Sequence, residues 1–447
     1  MKKMSRKKAI DNIDDYDNPD VGFDPGTLLD WDERDLSSEL MDTGKKSPGI
    51  DKPLFVITLV ILLIGVIMIL SASFARGYYT ESDPLRLFSR QFVFAISGIA
   101  LMLVTSRLSV RTISRWSMQL LLVSIVLLVL VLIIGIRVNG ARRWIGIGGE
   151  NSSLTFQPSE IAKLALILSF AQMMCKLGKE RMKTFKFGVL PFAIVTGIMI
   201  VLLRLEPHLS AIIIVTALAA IMMFAGGTKL RWFLLVIAVL FAMVGGFIYF
   251  QLRSTVPDVE IRDVSVETVR DNLDLSGLGY EGRRINAWLN PDADPLRDGF
   301  QIRQSLNAVG SGGLLGLGLG QSRQKHLYLP EEHNDYIFAI VCEELGFIGA
   351  MLILMLFVLL IIRGYWLAMH ANDKFSSLIT IGITSLLALQ VFLNVAVVTN
   401  LLPATGISLP FFSYGGTALW IQLIQIGIIL AVSREIPLTK EKSKVRA

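Results

Sequence analysis

Ten apolar runs dominate this chain, at about 54–73, 88–104, 114–135, 158–175, 187–203, 209–226, 231–251, 336–362, 376–399 and 409–432. Each is close to the ~20 residues that carry an α-helix across the ~30 Å hydrocarbon core of a bilayer. Backbone in lipid must satisfy its own polar groups, so runs of this length fold as helices. The expected fold class is all-α: a polytopic membrane protein with about ten transmembrane helices and one large extracellular loop between helices 7 and 8. Only 18% of the 447 residues are charged, against about a quarter in soluble domains. The first 50 residues are hydrophilic, so the first apolar run reads as an anchor and not as a cleaved leader.

Loop charge orients the bundle. With the amino terminus inside, the short inner loops and the carboxyl tail hold 17 Lys and Arg, and the short outer loops hold 7. The positive-inside bias then predicts that both termini are cytoplasmic. The net charge of +6 divides into −4 over residues 1–50 and +10 over the rest. In a membrane protein such a basic excess points to anionic lipid and not to nucleic acid. Residues 1–50 read as a disordered cytoplasmic tail, 51–433 as the membrane domain and 434–447 as a basic cytoplasmic tail. Cys175 and Cys342 lie in or beside apolar runs and read as packing residues without a disulfide or a metal site.

This orientation leaves 252–335 outside as the one large loop. Its first part, Asp258–Asp274, carries six acids against two Arg, and VSVETVRDNLDL reads as a surface helix. The stretch from Gly282 to Gly346 is polar and glycine-rich between apolar flanks, the pattern of a site. Within it Asp294 sits in WLNPDADP, near Asp292, Arg283 and Arg284. A carboxylate on a proline-stiffened backbone suits a general base for a sugar hydroxyl, and the plainer alternative is a turn. GSGGLLGLGLG from Gly310 could bring backbone N–H groups to a phosphate, or could simply be a re-entrant loop. Glu343 and Glu344 fall inside the eighth run, where charge is costly and suspect. His333 and Asp335 precede that run without zinc-site spacing, and Asn334 or Asp335 could serve as its N-cap.

The second outer loop contains GARRWI and then FQPSEIAKL. Pro158 fits the first turn of a helix, and Glu160 and Lys163 share a face at i,i+3. With Arg142 and Arg143 nearby, they read as the lining of a polar cavity. Glu206-Pro-His208 forms a very short outer loop, and prolines and glycines break the chain at 403–416. Every one of these segments lies outside, which predicts one outward-facing cavity for an anionic, lipid-linked substrate.

Together GARRWI, FQPSEIAKL, NPDADP with GFQIRQS, GLGLGQS, YLPEEHNDYIFAIVCEELG and LPATGISLPFFSYGG resemble the SEDS family (shape, elongation, division and sporulation), typified by FtsW and RodA. The resemblance covers about 54–433. It implies a peptidoglycan glycosyltransferase that polymerises lipid II at the outer face of the bacterial cytoplasmic membrane, with Asp294 catalytic. The matching motifs supply the substrate-binding candidates: Arg142, Arg143, Glu160, Lys163, Arg283 and Arg284, then Gln301, Ser305, His333, Asp335 and Ser413. No tightly bound cofactor is expected beyond a divalent cation, Mg or Mn, arriving with the diphosphate. Implied partners are lipid II, a class B penicillin-binding protein, other divisome or elongation membrane proteins, and membrane lipid. A helix of the transpeptidase is expected to dock near spans eight and nine. Where the family often carries an acid, this chain has His208. The long amino tail and the FFSYGG ending favour the division branch, with an elongation or sporulation paralogue as the alternative. The rival classes are a lipid II flippase, which would show polar residues through mid-span, and a scaffold for a transpeptidase.

Overall fold

A computed structural model describes residues 49–81, 83–138, 141–146, 155–233, 279–291 and 298–436. Asp292, Asp294, the predicted span from 234 on, the acidic insertion with its surface helix, and both tails lie outside the described residues. The helices are α1 (Lys52–Arg76), α2 (Arg86–Thr105), α3 (Val110–Ile134), α4 (Pro158–Met182), the single turn α5 (Phe185–Gly188), α6 (Leu190–Leu205) and α7 (Leu209–Ala225). They continue with α8 (Gly279–Leu289), α9 (Asp298–Ser311), α10 (Ile337–Met369), α11 (Lys374–Val398) and α12 (Gly416–Glu435). Eight of the described helical segments are long and apolar enough to cross a membrane, and α7 is a shorter apolar helix.

The predicted spans that fall within the described residues thus reappear, with informative changes at their ends. The last helix starts at Gly416 and not at 409. Pro410 and the GG pair disfavour helix there, and the Ser413 hydroxyl takes the Leu409 N–H in a turn (2.8 Å). In the eighth, Arg363 does not end the helix. It pairs with the Asp51 carboxylate through two bonds of 3.1 and 2.5 Å and stacks on Trp366, so α10 runs on to Met369. Neither Asn334 nor Asp335 caps α10; Tyr336 holds that position without a side-chain bond. A small three-stranded antiparallel sheet, β1 (Ile136–Val138), β2 (Ala141–Gly146) and β3 (Thr155–Phe156), was not predicted.

Helices α4, α11 and α12 form the buried centre, while α2, α3 and much of α10 lie outermost. The outer helices display large apolar side chains such as Leu122, Val93 and Met351, a surface that suits lipid and not water. Small residues of α11 are consumed inside the bundle: Gly382 packs on Ile167 and Met222, and Thr384 on Gly364. Most of α11 is buried, and within it only Phe392 is exposed. Among the described residues of these two helices, α10 presents the wider open face.

Two sets of contacts mark opposite ends of the bundle. Asp51 meets Arg363 and Ser433, and Glu435 meets Val110, at the end that carries the tails. Arg143 meets Pro207, Arg284 meets Ala404, and Ser413 meets Asn334 at the other, called here the loop end. The chain alternates between them as the sequence-derived topology requires.

Helix α10 is broken at Gly346 (φ 69°, ψ −173°). The glycine-rich loop after α9 docks into that break. Leu317 and Gly318 N–H groups donate to the Glu343 and Glu344 carbonyls, and Phe347 and Ile348 N–H groups donate to Gly313 and Leu314. The approach is so close that a Cβ on Gly312, Gly316 or Gly346 would lie within 2.2 Å of backbone atoms. The Glu343 and Glu344 side chains are fully buried beneath the loop. Glu344 accepts from Ser71 Oγ (2.7 Å), the N–H groups of Gly320 (3.0 Å) and Ser322 (3.2 Å), and the Lys325 ammonium (3.0 Å). Glu343 accepts from the Arg323 and Gln324 N–H groups and the Ser322 hydroxyl. The loop therefore cradles an anion, as its glycines suggested, but the anion is the protein's own.

Removing one member of a buried, paired network leaves the others uncompensated, at a cost of about 3–5 kcal/mol. Glu344→Ala should lower the unfolding midpoint in detergent by several degrees, whereas Leu319→Ala on the exposed side of the same loop should leave it unchanged. Equal effects would mean that the carboxylate does not anchor the loop.

Candidate active site

The site forms where five chain segments meet at the loop end. Arg142 and Arg143 are successive residues of β2 and so face opposite ways. Arg142 turns back, its Nη1 donating to the Leu132 carbonyl (3.0 Å) at the end of α3. Arg143 reaches inward and donates to the Pro207 carbonyl. Pro158 begins α4, as expected, and one turn of helix brings Lys163 onto Glu160 at 2.8 Å, with both side chains over 90% buried. Glu206 ends α6 and His208 precedes α7, and both are buried. Arg284 of α8 donates to the Ala404 carbonyl (2.9 Å), on the opposite wall.

Asp335 stands beside these cations just before α10. Burial pushes its carboxyl up to about 6, Glu331 adds to the rise, and Arg284, Arg143 and His333 oppose it. Burial pushes Glu206 up to about 8 against the pull of Arg143. His208 is lowered to about 3, first by burial and then by Arg143 and Lys163. These mutual influences show Arg143, Lys163, Glu206, His208, Arg284, His333 and Asp335 sharing one electrostatic neighbourhood. Gly406 (φ 75°) passes between Asp335 and Arg284, where a Cβ would lie 3.1 and 3.7 Å from their polar atoms.

The remaining candidates hold the walls. Ser305 donates to the Val398 carbonyl (2.8 Å) and Ser413 to the Asn334 carbonyl (2.8 Å). Gln301 donates to the Pro330 carbonyl (3.3 Å). Asn394 bridges the carbonyls of Asp335 (2.8 Å) and Ile407 (2.7 Å), binding α11 to both loops. Arg283 lies on the exposed side of α8. The structure thus gathers Arg143, Glu160, Lys163, Arg284, His333 and Asp335 and leaves Arg142 and Arg283 outside. Glu206 was not among the candidates; an acid at the tip of an apolar helix, before proline, was its only signal. Glu331, Asn400 and Phe411 all adopt φ between 56° and 65° around this site, and such backbone strain concentrates at functional places.

Among the described residues no three His, Cys, Asp or Glu side chains are grouped to hold a metal. Three cations gathered with buried acids suit a phosphate-bearing ligand.

Residues 52–437 match the family described as "Cell cycle protein", the FtsW, RodA and SpoVE group. The chain belongs to that family. It is 39% identical over 398 residues to stage V sporulation protein E of Bacillus subtilis, covering 88% of this chain and 99% of that one. It is 38% identical over 399 residues to "Probable peptidoglycan glycosyltransferase FtsW" of Trichlorobacter lovleyi, covering 88% and 96%. Among solved structures it resembles a chain of a peptidoglycan synthase complex that coordinates polymerisation and crosslinking (27% identical, TM-score 0.67, covering 86% and 98%). It also resembles the rod-shape-determining protein RodA of Thermus thermophilus (25% identical, TM-score 0.59, covering 87% and 98%).

The raised Asp335 carboxyl yields a signed prediction. Its favourable contribution to stability is complete below about pH 3.8 and is lost as pH rises through about 6. At pH 8 its ionised form is held in place at the fold's expense. Asp335→Asn should therefore raise the unfolding midpoint at pH 8 while lowering activity, and the gain should vanish near pH 4. A lower midpoint at pH 8 would make Asp335 a purely structural residue.

Proposed function

We infer that this chain is a peptidoglycan glycosyltransferase that polymerises lipid II into glycan strands. The observation that carries the reading is the convergence of Arg143, Lys163 and Arg284 with buried acids at the loop end of a lipid-embedded bundle. A lipid-linked diphosphate has its charge at that depth, and cations held by the fold stabilise the leaving group as the bond to it breaks. The names carried by the relatives support the same chemistry.

In the proposed reaction Asp294 takes the proton of the acceptor's 4-hydroxyl, the oxygen attacks the anomeric carbon of the donor, and lipid diphosphate departs. Arg143 and Lys163 face the diphosphate. A divalent cation, Mg or Mn, travels with it, and omitting the metal from the assay tests that part. Both termini lie in the cytoplasm of the bacterial cytoplasmic membrane. A class B transpeptidase is the proposed partner, with other division or elongation proteins of the membrane around it, and the open face of α10 is where its helix fits. Septal synthesis is the favoured setting; the similarity to a sporulation protein and to RodA keeps the sister roles in view.

One observation favours a flippase. The spans are not free of polar residues, because Thr380, Thr384, Gln390, Gln422 and Gln425 are buried along α11 and α12. These groups are neutral, and no track of charge accompanies them toward the tail end among the described residues.

Polymerisation of labelled lipid II by the purified protein, alone and with a class B transpeptidase, separates the readings. Wild type should yield long strands, and Asp294→Asn should lose activity by at least the ~100-fold typical of a general base. Strands from both would move the base to Asp292. No product from wild type even with the partner would favour the flippase or scaffold.

A further inference from the structure

Glu206 is the odd group in the site. Its side chain is fully buried, and neither carboxylate oxygen accepts a hydrogen bond. Neither oxygen takes a bond from the neighbouring Arg143, whose Nη2 donates to the carbonyl of the next residue, Pro207. The Nδ1 atom of His208, on the other side of that proline, is also buried without a partner. A carboxylate kept ionised in such a place costs several kcal/mol, and proteins escape the cost by protonation.

We propose that Glu206 is a neutral carboxylic acid in the working enzyme and donates a hydrogen bond to a phosphate oxygen of the lipid diphosphate beside Arg143. The proposal rests on the glycosyltransferase reading above and adds a binding residue to it.

The geometry asks for this state. An ionised Glu206 would repel the diphosphate. The neutral acid removes that repulsion and adds an O–H donor. Donation from a carboxylic acid kept neutral by an apolar site is an established device in enzymes. Burial shifts the group in that direction, to about 8. His208, lowered to about 3, is neutral too, so the turn between α6 and α7 contributes no charge. The groups that face this turn are Arg143 from β2 and Lys163 with its partner Glu160 from α4. Asp335 and Arg284 stand beyond Arg143. Of these Asp335 titrates near 6, two pH units below Glu206, so the two limbs separate.

The test is the rate of lipid II polymerisation by the full chain from about pH 6.5 to about pH 9.5, for wild type and Glu206→Gln. Wild-type kcat/KM should fall about tenfold per pH unit above about 8, chiefly through KM. Glu206→Gln keeps an N–H donor but cannot ionise, so its profile should be lower and flat through the same range. An alkaline fall in the Gln variant equal to wild type, or a wild type flat to pH 9.5, would overturn the proposal. A second measurement needs no active variant. Infrared spectra of wild type should show a neutral-carboxyl C=O band at pH 7 that disappears as pH passes about 8 and is missing from Glu206→Gln. Its absence from wild type would also overturn the proposal. Lack of polymer at every pH with the band present would instead indict the glycosyltransferase reading and leave the neutral acid standing.

Discussion

The bundle depends on how it hides the break in α10. A helix interrupted at Gly346 exposes carbonyls and N–H groups in a medium that cannot solvate them, where each orphan costs kilocalories. The glycine-rich loop answers by offering its own backbone to the broken turn, while Glu343 and Glu344 collect the N–H groups of the following turn. The two halves of the arrangement need each other. Without the break the loop has no seat, and without the loop the two buried carboxylates have, among the described residues, only Ser71 and Ser311 as partners. Close backbone approach explains why glycine stands at 312, 316 and 346: another residue would collide with main chain and not merely with a movable side chain.

Charge at the loop end follows a second rule. Lys163 has its counter-ion, Glu160, in the same helix turn, and that pair is balanced locally. Arg143 and Arg284 each give a hydrogen bond to a backbone carbonyl, that of Pro207 and of Ala404, and the carbonyl fixes the position of the guanidinium. Burial biases Glu206 toward neutrality, so the opposition of the site's acids to an incoming anion is smaller than a count of carboxylates suggests.

Helix periodicity and hydropathy made most of the fold legible. The Glu160–Lys163 pair was readable because i,i+3 spacing fixes proximity once Pro158 starts the helix. Adjacent residues were harder. Arg142 and Arg143 differ only by the parity of a short strand, and Arg283 and Arg284 by the rotation of a helix, and neither element was defined by its composition. Glu343 and Glu344 stood out as charges in an apolar run, but their partners lie about twenty residues upstream in a loop whose path no periodicity reports. Glu206 was seen only as part of a short outer loop, because its importance comes from being left without partners, which only three-dimensional packing reveals. For Asp294 the placement lies outside the described residues, and its role rests on the motif.

The anchored loop also explains how a site at the rim of a lipid-embedded bundle can be rigid. From Gln324, whose N–H is held by Glu343, the chain returns through Leu329, whose N–H bonds the Gln324 carbonyl. It then passes Asn334, held by Ser413, and Asp335, held by Asn394 of the buried α11. Tyr414 in turn donates its N–H to the His333 carbonyl. The stretch from Gln324 to Asp335 is thus one or two bonds from α10, α11 or the turn before α12. Catalytic groups perform best when their supports are locked by packing and hydrogen bonds. Leu314 and Leu315, 69% and 79% exposed, lie on the free side of the same loop. The loop therefore joins an exposed apolar face to the wall of the site through one buried ionic core.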